Sequence, residues 1–309
     1  MKTIKAGYVK SEDGVNLYYE YILGPDGAPT IILCNGILCT TNYWHYLKDY
    51  FTGRYPVLSW DYRGHGKSDI PDDFGSLSIP QLARDLAVLM DGVGIAKGVL
   101  IGFSMGVQTV VEFFRQFPEK AAGLVLMSGA VHKPFNLKVG TDKVEPLFNA
   151  FFNIASRLGS LIELPLNIFL KSPLRMPVAR RVGIDKHRAQ KKDMIPYFEH
   201  IASMNKSLGF KSLCLMNEHS AFDVLERINV PTLIIIGEND GMTPPQHAFD
   251  VHSKIKGSEL FVVPFGQHTA LIENPYAVNC RIELFLRDHF DYVCPVKGAR
   301  AEITASFVE

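Results

Sequence analysis

One short segment of the 309-residue chain has the residue types of an activated serine nucleophile. Residues 102–106, Gly-Phe-Ser-Met-Gly, match the pattern G-x-S-x-G, whose small residues permit a sharp turn and close packing around an exposed Ser104. The segment follows an apolar run at 98–103 and opens a helix-like stretch, which is the setting that the pattern requires. A glycine-rich turn without chemistry has the same residues, so a catalytic role also requires partners for the hydroxyl.

The partners of a serine nucleophile are a base, a group that orients the base, and donors for the oxyanion. Among ten histidines, His268 is the candidate base, because it follows the last predicted strand at 260–263 and precedes the last predicted helix. This position predicts that His268 lies at the carboxyl edge of the sheet, where Ser104 also lies. Single histidines are usually structural, and His65, in a turn, is interpreted in that way.

Two carboxylates compete for the role of orienting acid. Asp240 and Glu238 both follow the strong predicted strand at 230–236, and residues 243–245, Thr-Pro-Pro, open the next predicted helix. Either carboxylate would therefore reach the same sheet edge as Ser104 and His268. Position alone leaves both open, together with a purely structural carboxylate at a turn or helix start.

The elements around these residues predict an α/β fold with a parallel sheet. Short apolar runs alternate with helical patterns up to about residue 130, and the alternation resumes at 220. Between them, the chain is divided into short helical pieces by Pro134, Pro165, Pro173, Pro177 and Pro196, which indicates an insertion. We therefore expect a first part of the core at 1–130, a helical lid at 131–219, a second part of the core at 220–295 and a tail at 296–309.

Several segments together resemble the α/β-hydrolase superfamily, in particular its lid-bearing serine hydrolases of the esterase and haloperoxidase-like branch. Residues 61–69, Asp-Tyr-Arg-Gly-His-Gly-Lys-Ser-Asp, are similar to the D-x-R-G-x-G-x-S turn of the family, and the order Ser104, Asp240, His268 is the family order. The resemblance implies an eight-stranded, mostly parallel sheet with a lid after the sixth strand. It also favours Asp240 over Glu238, and it implies an oxyanion hole formed by the N–H groups of Ile37 and Met105.

The chain departs from the family pattern at two positions. Asn35 replaces the usual histidine of the oxyanion loop, and Val107 replaces a frequent second glycine. Neither change removes a predicted backbone donor. Relatives that open epoxides or remove halide generally carry aspartate as nucleophile, so Ser104 argues against both activities. Cys39, in the oxyanion loop, is a less favoured candidate nucleophile.

Residues 131–215 contain 14 Lys or Arg against 6 Asp or Glu, a local charge of +8 in a chain whose formal net charge is zero. A solvated basic face is one interpretation. The other is an apolar chamber for an acyl chain with a cationic rim, which predicts an anionic group on the substrate or peripheral contact with anionic lipid. Four phenylalanines are the candidates to line the chamber: Phe148, Phe151, Phe152 and Phe169.

The remaining observations limit the possible functions. Balanced charge argues against nucleic acid as a partner, and five scattered cysteines without a signal-like N-terminus favour the cytoplasm. We expect a small acyl or ester substrate, no metal and no organic cofactor. The leading hypothesis is ester hydrolysis through an acyl-enzyme. A thioesterase, an acyltransferase or a carbon–carbon bond hydrolase would use the same triad, and a receptor on this fold would bind without catalysis.

Overall fold

An eight-stranded sheet forms the centre of the molecule in the computed structural model, which describes residues 3–132, 145–182, 184–185 and 188–292. The strands lie in the order β1-β2-β4-β3-β5-β6-β7-β8. The first two strands pair antiparallel to each other and β2 pairs antiparallel to β4, whereas β3 to β8 are parallel. The strands are β1 (Ile4–Lys10), β2 (Asn16–Ile22), β3 (Thr30–Cys34), β4 (Val57–Trp60), β5 (Gly98–Phe103), β6 (Ala121–Met127), β7 (Thr232–Gly237) and β8 (Glu259–Val263).

Burial on both faces explains why the central strands consist of apolar runs. Every residue of β4, β5 and β7 is buried. Side chains alternate between two hydrophobic clusters, one on each face of the sheet; in β3, Ile32 packs into one cluster and Ile31 and Leu33 into the other. The predicted α/β class and mostly parallel sheet are confirmed. The edge strand β1 was not predicted, because it is largely exposed and lacks an apolar run.

Helices cover both faces of the sheet, and a group of them lies between β6 and β7. The described α-helices are α1 (His45–Phe51), α2 (Ile79–Val93), α3 (Met105–Gln116), α4 (Glu145–Arg157), α5 (Gly159–Lys171), α6 (Arg175–Val182), α7 (Lys191–Ser203), α8 (Lys206–Glu218), α9 (Pro245–Lys254), α10 (Ala270–Glu273) and α11 (Pro275–His289). Short 3₁₀ turns lie at Thr41–Trp44, Phe74–Leu77, Pro118–Lys120 and Phe222–Arg227. Within the described ranges, no helix is both long enough and apolar enough to cross a bilayer.

The chain leaves the sheet core before α4 and returns to it after α8 at the same place. The N–H of Ala221 donates to the carbonyl of Val131 at 2.9 Å, and His132 pairs with Ser220 as an isolated antiparallel bridge. We call residues 145–218 the helical segment. These contacts support the predicted insertion at 131–219, although its exact boundaries remain a prediction. The predicted tail at 296–309 lies outside the described residues.

The parallel order of β5, β7 and β8 brings three loops to one edge of the sheet. Phe103 ends β5, Gly237 ends β7 and Val263 ends β8. Because the strands run in the same direction, the residues that follow them meet at their carboxyl ends. The loops that carry Ser104, Asp240 and His268 therefore share this edge.

Candidate active site

Ser104 lies at a strained turn between β5 and α3. Its backbone has φ 54° and ψ −115°, a conformation that is costly for a residue with a side chain. The Ser104 N–H donates to the carbonyl of Met127 in the neighbouring β6 at 2.9 Å, and the Ser104 carbonyl accepts from Val107. These bonds hold the residue before the first turn of α3, with the side chain partly exposed.

The glycines on either side of Ser104 are required by close backbone contacts. A Cβ at Gly102 would lie 2.3 Å from the carbonyl oxygen of Gly106, and a Cβ at Gly106 would lie 2.1 Å from the carbonyl oxygen of Cys34. A side chain at either position would push α3 away from the sheet or from the loop after β3. The pattern in the sequence thus corresponds to a steric requirement of the fold.

His268 connects Ser104 to Asp240. The Oγ of Ser104 lies 3.1 Å from Nε2 of His268, and Nδ1 of His268 lies 2.9 and 3.1 Å from the two carboxylate oxygens of Asp240. A carboxylate can only accept, so Nδ1 carries the proton and donates to Asp240. In the neutral imidazole Nε2 then has no proton and can accept a hydrogen bond from the Ser104 hydroxyl, which is the arrangement that a general base requires.

The carboxylate of Asp240 is buried and is held by several donors. Oδ1 accepts from the N–H groups of Met242 and Thr243, both at 2.8 Å, and Oδ2 accepts from Oγ1 of Thr243 at 2.9 Å. The same hydroxyl lies 3.3 Å from Nδ1 of His268. Thr243 was not identified from the sequence as a site residue. The available signal was a threonine three positions after the candidate acid, in a turn before a helix, where such side chains form local hydrogen bonds.

Glu238, the competing acid, has a different partner. Its Oε2 accepts from the N–H of Phe265 at 2.8 Å, which ties the loop after β7 to the loop after β8. The structure therefore brings Asp240, and not Glu238, to His268. A second carboxylate, Glu273, was given no role at the site from the sequence. It accepts from the N–H groups of Gln267 and Asp185, each at 2.8 Å, and so ties the His268 loop to the helical segment side of the site.

The loop after β3 lies opposite Ser104. A Cβ at Gly36 would lie 2.9 Å from the ring of Phe103 and 3.3 Å from the Cβ of Ser104. Asn35, which replaces the usual histidine, is fully buried: its amide donates to the carbonyl of Trp60 at 2.7 Å and its oxygen accepts from the indole of Trp44 at 2.6 Å. Asn35 thus fixes the loop, and the substitution has a structural explanation.

The two predicted oxyanion donors lie in the loop after β3 and at the start of α3. Ile37 follows Gly36 in this loop and lines the cavity beside Ser104. Met105 is the first residue of α3, and the N–H groups of a first helical turn have no acceptor within the helix. Their role as oxyanion donors remains a prediction.

An apolar cavity of about 150 Å³ opens on Ser104 and His268. The core contributes Cys39, Tyr43 and Phe103, and the helical segment contributes the opposite wall. That wall consists of Ala179, Ile184, Met194, Tyr197 and Phe198. An apolar wall with a nucleophile at its base can bind the carbon chain of a small substrate.

The predicted lining of this cavity is wrong for Phe151, Phe152 and Phe169. Phe151 is 61% exposed on α4, and neither Phe152 nor Phe169 lines the cavity. The side chain of Phe148 lies outside the described residues. Amphipathic spacing identified which side chains share a helix face, but not which face turns toward the serine, so the aromatic residues of α7 were overlooked.

Cys39 lies in the cavity wall and is 3% exposed. Burial raises the pKa of the Cys39 thiol well above its ordinary range, so the thiolate that a cysteine nucleophile needs is disfavoured. This argues against Cys39 as the nucleophile and for a role in the cavity wall.

The turn at residues 61–69 contains a buried ion-pair network. Arg63 is fully buried and donates to Asp85 at 2.7 and 2.6 Å and to Asp13 at 2.7 Å. Burial lowers the pKa of His65, whose Nδ1 lies 3.1 Å from the carbonyl of Arg63. None of these bonds involves Ser104. Within the described part of the chain, no three His, Cys, Asp or Glu side chains are grouped so that they could hold a metal ion.

Comparison with known proteins agrees with this architecture. A family model described as alpha/beta hydrolase fold matches residues 29–275. The chain is 24% identical over 265 residues to 3-oxoadipate enol-lactonase 2 of Acinetobacter baylyi, covering 85% of this chain and 91% of that protein. It is 26% identical over 281 residues to serine hydrolase BPHL of Homo sapiens, covering 89% of this chain and 84% of that protein. A thermophilic esterase from Thermogutta terrifontis superposes with a TM-score of 0.74 at 21% identity, covering 93% of this chain and 99% of that one.

Proposed function

The chain belongs to the alpha/beta hydrolase fold family, and within this family we propose that it is a serine hydrolase of carboxylic esters. The observation that carries the proposal is the chain of contacts from Asp240 through His268 to Ser104 at the base of an apolar cavity. Because the base accepts from the hydroxyl and the acid accepts from the base, His268 can take the proton of Ser104 while Asp240 orients the imidazole and stabilises its protonated form.

The proposed reaction proceeds through an acyl-enzyme. The Oγ of Ser104 attacks the ester carbonyl carbon while its proton moves to Nε2 of His268, and the carbonyl electron pair moves to oxygen. The N–H groups of Ile37 and Met105 are the proposed donors to that oxyanion. Its collapse breaks the bond to the alcohol, which leaves with the proton from Nε2. Water then attacks the acyl group by the same route and restores Ser104.

The cavity supports a small substrate. A cavity of about 150 Å³ is large enough for a ring the size of benzene, so we propose that the site accepts an acyl group of up to about six carbons. The excess of cationic side chains between residues 131 and 215 supports a second element of the proposal, peripheral contact with anionic lipid.

A fluorophosphonate probe tests the nucleophile. Wild type should label, and Ser104→Ala should lose labelling and at least about 10³-fold in kcat. The matched control is Ser128→Ala, because the buried Ser128 follows the neighbouring strand β6 and its hydroxyl has no partner in the described part of the chain. Equal labelling of Ser104→Ala would contradict the proposal.

A panel of substrates tests the bond that is cleaved. Nitrophenyl esters from two to twelve carbons should show kcat/KM falling beyond about six carbons. Faster turnover of acyl thioesters than of matched esters would indicate a thioesterase. Labelling without turnover of either class would favour a carbon–carbon bond hydrolase, and failure of wild type to label would favour a binding protein.

A further inference from the structure

One surface of the helical segment leaves large apolar side chains in solvent. On α5, Leu161, Leu164 and Ile168 are 73%, 70% and 63% exposed. Their spacing of three and four residues places them on one face of the helix. Phe151 and Ile154 on α4 and Leu174 after α5 are similarly exposed, at 61%, 56% and 63%. We call these six side chains the apolar face. A single exposed leucine needs no explanation, whereas a group of this kind marks an interaction surface.

The apolar face is not required to hold the helical segment together. The opposite side of α5 packs into the interior of the segment, where Leu170 is buried and belongs to a cluster with Met176, Met194 and Phe198. The amphipathic requirement of α5 is met by that packing. The exposed side chains of the apolar face are therefore additional apolar surface, with no covering element among the residues that the structure describes.

Two cationic side chains lie beside the apolar face at the ends of its helices. Arg157 ends α4 three residues after Ile154, Lys171 ends α5 three residues after Ile168, and both are exposed. Arg180 on α6 and Lys191 and Lys192 at the start of α7 add exposed positive charge to the helical segment. Exposed apolar side chains next to Lys and Arg are the composition of a surface that lies in the headgroup region of an anionic bilayer.

We infer that the apolar face inserts into the surface of an anionic lipid bilayer, with Arg157 and Lys171 on the headgroups. Charge complementarity favours this occupant over a second copy of the chain. A symmetric dimer through this face would bring Arg157 and Lys171 of both copies into one interface, and like charges in an interface oppose association. Anionic headgroups complement the same two cations.

The position of the apolar face connects it to the site. The helical segment that carries the face also contributes Ala179 and Tyr197 to the cavity wall. A protein bound through the face would hold its cavity wall close to the lipid, where hydrophobic esters concentrate. This inference rests on the proposed contact with anionic lipid; binding itself does not depend on the chemistry of Ser104, so Ser104→Ala should bind vesicles as wild type does.

Vesicle sedimentation tests the inference with the full chain. The vesicles contain phosphatidylcholine alone or with about 30 mol% phosphatidylserine. Wild type should bind the anionic vesicles more tightly, with an affinity that falls as salt rises. The triple variant Leu161→Ser, Leu164→Ser, Ile168→Ser should bind them about 100-fold more weakly, because three aliphatic side chains no longer enter the apolar phase.

A matched control carries the same number of apolar-to-serine changes elsewhere: Ile4→Ser, Ile70→Ser and Tyr276→Ser, at side chains that are 50%, 52% and 66% exposed. It should bind within about twofold of wild type. Circular dichroism and turnover of a soluble ester verify that both triple variants fold.

Three outcomes would overturn the inference. If wild type does not bind the anionic vesicles, the contact with lipid is wrong as well. If the α5 triple variant binds like wild type while Lys171→Glu with Arg180→Glu abolishes binding, lipid contact stands but the apolar face is not its site. If sedimentation equilibrium shows a wild-type dimer that the α5 triple variant dissociates, a second copy covers the face. Loss of ester turnover with intact vesicle binding would instead contradict only the proposed hydrolysis.

Discussion

Four donors surround the two oxygens of the Asp240 carboxylate: two backbone N–H groups, the Thr243 hydroxyl and Nδ1 of His268. A buried carboxylate is stable only when its acceptors are filled. The Thr243 hydroxyl also lies 3.3 Å from Nδ1 of His268, so it touches both members of the pair. Thr243 is therefore a positioning residue, because it fixes the carboxylate that in turn fixes the imidazole.

We predict that Thr243→Val lowers kcat about tenfold and leaves KM within about twofold. Valine keeps the shape of threonine but removes the donor to Oδ2, so the carboxylate gains an unfilled acceptor and His268 loses part of its alignment. Steady-state kinetics on a short-chain ester measures the change. Thr243→Ser, which keeps the hydroxyl, should recover most of the lost kcat; a change in KM alone would argue against a positioning role.

The sequence predicted part of this site and not the rest, for physical reasons. Ser104 and His268 could be placed because the ends of apolar strands are visible in the sequence and parallel strands share an edge. The choice of Asp240 over Glu238 required the family resemblance, since both follow β7. The roles of Thr243 and Glu273 were not predicted, because a threonine or glutamate near a helix start usually has only a local role and their contacts depend on how separate loops meet.

Among the strands and helices, some were predictable from the sequence and others were not. The central strands were predicted within a few residues, because burial on both faces leaves uninterrupted apolar runs. The exposed edge strand β1 was not predicted. The sequence also did not show which side of the helical segment faces Ser104. A helix with apolar side chains on two faces, such as α5, offers no local signal of which face is inside, and packing against α7 decides it.

The contact between α7 and the turn at residues 61–69 contains two neutral histidines. The rings of His65 and His200 lie 6.1 Å apart, and Nε2 of each has no hydrogen-bond partner in the described part of the chain. Burial, together with the neighbouring His65 and the ammonium of Lys206, lowers the pKa of His200 to about 4. Both imidazoles therefore pack in their uncharged form, and protonation of either would disrupt the contact.

We predict that His200 makes the protein less stable in weak acid. Below the ordinary histidine pKa of 6.5 the unfolded chain binds a proton that folded His200 does not accept until the pH approaches about 4. The stabilisation is therefore complete above pH 6.5 and is lost as the pH falls from 6.5 toward 4, by about 2 kcal/mol between pH 7 and pH 5. Urea unfolding at both pH values should show this loss reduced by that amount in His200→Phe.

The matched control for this measurement is His252→Gln. His252 lies on α9, away from the contact between α7 and the turn, and its Nδ1 lies 2.8 Å from the hydroxyl of Ser258. This variant should keep the wild-type dependence on pH. An unchanged loss of stability in His200→Phe would mean that other groups cause the acid sensitivity.

At the scale of the whole molecule, the chain is a sheet core interrupted by the helical segment. The N–H of Ala221 donates to the carbonyl of Val131, and His132 pairs with Ser220, so the chain leaves and returns at one point. The two parts remain in contact, because Met216 belongs to a core cluster and Gln108 on α3 donates to the carbonyl of Met216 at 2.9 Å. The helical segment therefore stabilises the core, although the strands of the sheet do not run through it.

We predict that the core folds without residues 133–219. A two-residue Asn-Gly turn can join His132 to Ser220, because directly paired antiparallel residues are the geometry that such a turn closes. The excised chain should unfold cooperatively at a lower temperature, since the contacts of Met216 and the cavity wall from Tyr197 are lost. Ser104 should still label with a fluorophosphonate, because Ser104, Asp240 and His268 all lie on the core, whereas the decline of kcat/KM beyond about six carbons should disappear.

Ser104→Ala in the excised chain controls for nonspecific labelling. Absence of a cooperative transition would show that the helical segment and the sheet form one folding unit.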